Sequence, residues 1–122
     1  MAIDPTIIDP AALERLEKWG GVSLSTEIVQ LFLENGPSRV EQICEAMDEE
    51  DLTIPERGAH SLKSSAANVG ARQLQALAGE IELAASDGDL GRVRELIPDL
   101  EEAFARAAEA LETMVKEGVN EV

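Results

Sequence analysis

The sequence predicts an all-α fold, and three observations carry that prediction. The apolar share of the 122 residues is normal for a globular chain, but it consists mostly of Leu, Ile, Val and Ala, with Trp19, Phe32 and Phe104 as the only aromatics. Val93, Ile97, Leu100, Phe104, Ala107, Leu111 and Met114 recur at alternating spacings of four and three, a continuous helical seam. Turn-forming groups punctuate the rest, and no segment shows the alternation of a half-buried strand. The length suits one domain with one modest core, so residues 1–122 are expected to form a single unit with frayed ends at about 1–6 and 117–122.

Six helices follow in order. Asp9-Pro10 opens the first, because Asp accepts from free N–H groups and Pro fits the first helical position. Leu13, Leu16 and Trp19 form its short stripe, and Gly20-Gly21 ends it. Ser23 or Ser25 caps a second helix bearing Leu24, Ile28, Leu31 and Phe32, and Asn35-Gly36-Pro37 is read as its break. A third carries Val40, Ile43, Cys44 and Met47 and runs into the acidic stretch Asp48 to Asp51. A fourth runs from Thr53-Ile54-Pro55 to about Asn68, with Gly70 placed to end it in the left-handed conformation. The fifth spans Ala71 to about Ser86, and Asp87-Gly88-Asp89 turns the chain into the long last helix. Pro98 falls inside that helix and predicts a bend, and Gly118 is read as its end.

The formal net charge is −15, so phosphate backbones and anionic lipid headgroups are repelled, and nucleic acid and membranes are not expected partners. No window approaches the length of a membrane span, and no basic-then-apolar leader opens the chain; the expected location is the cytoplasm. The same charge favours a soluble monomer. Cys44, the single cysteine, reads as a core residue and excludes an internal disulfide or a cysteine zinc site.

His60 is the only histidine. The apolar stripe of the fourth helix is Leu52, Ala59, Leu62, Ala66 and Val69, and its centre points about 130° away from His60. His60 therefore stands outward with Lys63, Ser64 and Ala67. It lies ten residues before Gly70, about 15 Å along a helix, and Glu82 lies twelve residues after Gly70, about 18 Å back along the returning helix. The two sit at the same level of a hairpin, with Glu82 at the edge of the stripe Leu74, Leu77, Ala78, Ile81 and Ala85. An edge carboxylate there can accept one ring N–H and leave the other nitrogen as a nucleophile. Geometry alone leaves both readings open. His60 is either an unemployed surface imidazole or an accessible nucleophile, and Glu82 is either a solvated glutamate or its partner.

The run Ala59-His60-Ser61-Leu62-Lys63-Ser64-Ser65-Ala66-Ala67-Asn68-Val69-Gly70-Ala71 resembles the signature of the histidine-containing phosphotransfer domains of two-component phosphorelays. The family pattern is a histidine, a lysine three residues on, small residues next, and a glycine ten residues after the histidine. Gly79-Glu80-Ile81-Glu82 also looks like the family's next helix, and the order of short helices, hairpin and long last helix matches from about Ile7 to Val115. Ser64 is a departure, since the family usually has glycine after the lysine.

The resemblance implies an antiparallel four-helix bundle core with additional short N-terminal helices. It implies His60 as phosphoacceptor, Lys63 as the neighbouring cation, Glu82 as orienter of the ring, and a partner-docking face at Ser64, Ala67 and Gly70. The expected partners are response-regulator receiver domains and a hybrid or histidine kinase. The expected role is a phosphocarrier without kinase activity: it takes a phosphoryl group from a receiver aspartate and passes it to another receiver. It needs no cofactor of its own, and magnesium comes with the receiver. The chain holds no Gly-rich phosphate loop, and one histidine excludes a di-iron bundle. A non-catalytic acidic adaptor and a phosphoacceptor module of a larger histidine kinase are the alternative readings; Met1 and the short tail favour a free-standing protein over the second.

Overall fold

The computed structural model describes residues 4–45 and 51–120, with side chains through Lys116. Met47 and most of the acidic stretch after it lie outside the described residues, as do the two extreme ends. Four helices occur among the described residues: α1 (Pro10–Glu45), α2 (Thr53–Val69), α3 (Arg72–Ser86) and α4 (Leu90–Asn120). No strand occurs among the described residues. Packing runs in a ring, α1 on α2, α2 on α3, α3 on α4 and α4 back on α1, so each helix buries one face toward a common core. The short turns between α2 and α3 and between α3 and α4 make those neighbours antiparallel.

Asp9 opens α1, its carboxylate accepting from Ala11 N–H at 3.0 Å and its carbonyl from Ala12 N–H at 3.1 Å. The expected break at Gly20-Gly21 is a kink. Gly21 has φ 75 and ψ −176, a conformation essentially restricted to glycine, and it separates a short N-terminal segment from the body of α1. Neither serine caps the helix that follows; Ser25 is buried and its hydroxyl donates back to the Val22 carbonyl. The inward face there is Ser25, Val29, Phe32, Gly36 and Ile43, while Leu31 and Trp19 are exposed.

The break expected at Asn35-Gly36-Pro37 is absent, and α1 runs through it. An interior Gly and Pro together cost about 4 kcal/mol of helix stability. Burial of Val29, Phe32 and Ile43 stabilises the segment by about 1.5–3 kcal/mol each and outweighs that cost. Gly36 also has a packing role: a β-carbon there would lie 2.4 Å from the Phe104 ring, which packs on Phe32 with centroids 5.5 Å apart.

In α4 the buried face is Val93, Leu96, Leu100, Ala103, Ala107 and Leu111. Ile97, Phe104 and Met114 flank it, half-buried, so the seam is rotated slightly from the one read in the sequence. The helix is continuous across Pro98 and does not stop at Gly118.

The α2–α3 turn positions the site. Gly70 has φ 78 and ψ 21, the left-handed helix end expected of it, with its own N–H and that of Ala71 donating to Ala67 and Ala66 carbonyls. The N-terminal segment closes over this turn. Asp9 N–H donates to the Gly70 carbonyl at 2.8 Å, and a β-carbon at Gly70 would stand 2.5 Å from the Asp9 oxygen.

Candidate functional site on the α2–α3 hairpin

About half of the buried positions of α2 and α3 are small residues. Ala59 and Ala66 on one helix and Ala78, Ala84 and Ala85 on the other are buried, so the helices lie close enough for a side chain at the edge of one to reach the other. His60 follows buried Ala59 and precedes buried Leu62 by two, which turns it outward; its side chain is 64% exposed.

Glu82 bridges two groups of α2. Its Oε2 lies 2.5 Å from His60 Nδ1, and its Oε1 accepts from the Lys63 ammonium. The stem of Lys63 runs beside Gly79, one turn before Glu82, where a β-carbon would lie 3.4 Å from Lys63 Cδ. The hydrogen bond from Lys63 holds the Glu82 carboxyl below its ordinary value; partial burial opposes this and the contact with His60 adds to it. An ionised carboxylate only accepts, so in the neutral ring Nδ1 carries the proton and Nε2 keeps its lone pair.

Of the remaining residues singled out in the sequence, Ser64 is exposed beside His60 and Ala67 is half-buried. Gly70 does not share their face. It is buried beneath Asp9 and Ala12, and its role is to end α2 and admit the N-terminal segment, so it offers a partner no surface. Cys44 is half-buried; desolvation raises its thiol, and Glu101, Glu41 and Glu45 add to this, so it has the character of an inert thiol.

A groove of about 1080 Å³ opens beside His60, lined on one side by Arg39 and Gln42 of α1 and on the other by Thr53, Arg57 and Ser61 of α2. Sequence reasoning missed these residues. Arg57 was within reach of it, three residues before His60 as Lys63 is three after; Arg39 was not, because only packing brings α1 there. Among the described residues no group of three or more His, Cys, Asp or Glu could hold a metal ion. No described helix is long and apolar enough to cross a membrane.

A helical bundle presenting one exposed imidazole, held from behind by a carboxylate, belongs with phosphotransfer domains, and comparison with known proteins agrees. The sequence profile of the Hpt domain family matches residues 27–117. The crystal structure of histidine-containing phosphotransfer protein B from Pseudomonas aeruginosa PAO1 superposes with a TM-score of 0.87 at 23% identity. That match covers 93% of this chain and 98% of the other, and shows a shared fold. No curated protein matches the chain in sequence. The chain belongs to the Hpt domain family. It is a histidine phosphotransfer intermediate of a phosphorelay, a carrier of phosphoryl groups.

Proposed function

We propose that His60 accepts the phosphoryl group on Nε2, and that the donor and recipient are aspartates of response-regulator receiver domains fed by a hybrid or histidine kinase. One observation supports this above the rest: the Glu82 carboxylate lies against Nδ1 of a histidine whose side chain is otherwise 64% exposed. The Nε2 lone pair attacks phosphorus, the bond to the aspartyl oxygen breaks, and the aspartate leaves with the electron pair. As the N–P bond forms the imidazole becomes cationic, and Glu82 stabilises that charge at Nδ1. The phosphoramidate then loses the Nδ1 proton. Passing the group to a second receiver reverses these steps.

Lys63 tempers the Glu82 charge at rest and offers an ammonium to the phosphoryl oxygens during transfer. Magnesium belongs to the receiver, which brings its own carboxylates. Ser64 and Ala67 form the face the receiver meets. The acidic chain works as a single cytoplasmic domain and monomer, away from nucleic acid and membranes.

The test is transfer from a phosphorylated receiver domain. The parent gains acid-labile, base-stable label, and the His60→Gln variant folds normally and gains none. Label on the variant would overturn the assignment.

A further inference from the structure

The resting site has its cations unevenly engaged. Lys63 is held by Glu82, and the same carboxylate takes His60 Nδ1, so the lysine charge is largely spent within the hairpin. Arg57 and Arg39 line the groove beside His60 and form no ion pair among the described residues. Arg57 precedes His60 by three residues, which puts their β-carbons about 5–6 Å apart on neighbouring turns of α2. By helical phase Arg57 and Lys63 lie on opposite flanks of His60, at about +60° and −60°. Glu45 and Glu56 also line the groove, yet among the described residues neither is paired with Arg39 or Arg57. In a chain of net charge −15, two guanidiniums with no ion-pair partner among the described residues, beside the one imidazole, mark a place for an anion.

Building on His60 as phosphoacceptor, we propose that Arg57, backed by Arg39, is a further phosphoryl-binding residue that holds the oxygens of the group once it is on Nε2. A guanidinium suits this role. It is planar, always charged, and donates two parallel N–H bonds to phosphoryl oxygens. Lys63 and Arg57 then flank the phosphoryl group: Lys63, which at rest sets the charge of Glu82, reaches its oxygens from one side during transfer, and Arg57 holds them from the other.

Phosphoramidate tests this without a partner protein. Its N–P bond breaks, ammonia leaves carrying a proton from solvent, and the phosphoryl group moves to His60 Nε2. The ³¹P signal of phospho-His60 is then titrated. A cation on the phosphoryl oxygens favours the dianion and lowers its second ionisation. Arg57→Gln raises that ionisation, weakening dianion binding by about two- to fivefold, the range for an exposed ion pair. Arg57→Lys falls between, Arg39→Gln shifts it less, and Arg106→Gln on the far helix leaves it unchanged. The Arg57 Nε–H resonance of the parent moves on phosphorylation. An unchanged phosphoryl ionisation in Arg57→Gln, or an unmoved guanidinium resonance, overturns the role of Arg57. Absence of any phospho-His60 signal in the parent overturns the phosphoacceptor reading instead.

Discussion

Glu82 on α3 and His60 on α2 are 22 residues apart in sequence and 2.5 Å apart at Oε2 and Nδ1, and the same carboxylate also binds Lys63. Three side chains are thereby coupled through one group, and each gives a separate test.

Glu82→Gln keeps an acceptor at Nδ1 but removes its charge. A hydrogen bond with an ionised acceptor is roughly twice as strong as a neutral one. Phosphorylation of His60 by phosphoramidate slows by about fivefold in this variant, and further in Glu82→Ala, while circular dichroism shows both folded. Equal rates in all three proteins would mean that Glu82 does not act on the ring.

Lys63→Ala removes the largest cause of the lowered Glu82 carboxyl, so that carboxyl titrates at higher pH in a ¹³C NMR experiment. In the parent, the folded-state value lies below the unfolded one. The ionised carboxylate thus contributes stability above the ordinary glutamate range, and the contribution is lost as pH falls through the lowered folded value. The parent is therefore more acid-resistant than Lys63→Ala. An unmoved Glu82 titration in the variant would show that the lysine contact is absent in solution.

Ser64→Gln places a long side chain on the exposed face next to His60. Transfer from a phosphorylated receiver is blocked, whereas phosphorylation by phosphoramidate continues at the parent rate. If receiver transfer proceeds unchanged, the docking face lies elsewhere.

Gly70→Ala forces a residue with a β-carbon into φ 78, and that atom would meet the Asp9 oxygen at 2.5 Å. The left-handed strain and the crowding together destabilise the fold by about 2–4 kcal/mol, read from urea unfolding. A loss under about 1 kcal/mol would show that the turn relaxes freely.

The α2–α3 hairpin was the most legible part of the sequence because local rules govern it. Its outward histidine and its register follow from helical phase and from counting residues on each side of Gly70. The body of α1 was harder to read. Asn35-Gly36-Pro37 carries every local sign of a break, and the helix continues because Val29, Phe32 and Ile43 are buried in the tertiary fold, while the ring of Phe104, 68 residues after Gly36, leaves no room for a side chain there. The same limit applies to Arg39, which reaches the groove through packing of α1 on α2. The family pattern places Gly70 on the docking face, whereas its burial depends on Asp9, a residue 61 positions earlier.

The contact of Asp9 with the Gly70 turn also sets a mechanical tolerance. α2 and α3 are the two arms of a caliper, with His60 on one arm, Glu82 on the other and the pivot at Gly70, about 15 Å away. At that arm length, about 4° of opening at the pivot moves the tips apart by about 1 Å, enough to break a hydrogen bond between them. By fastening the pivot, the Asp9 backbone bond keeps the gap at the tips within hydrogen-bonding range. A peptide group that never approaches the imidazole thus governs how accurately its proton is held.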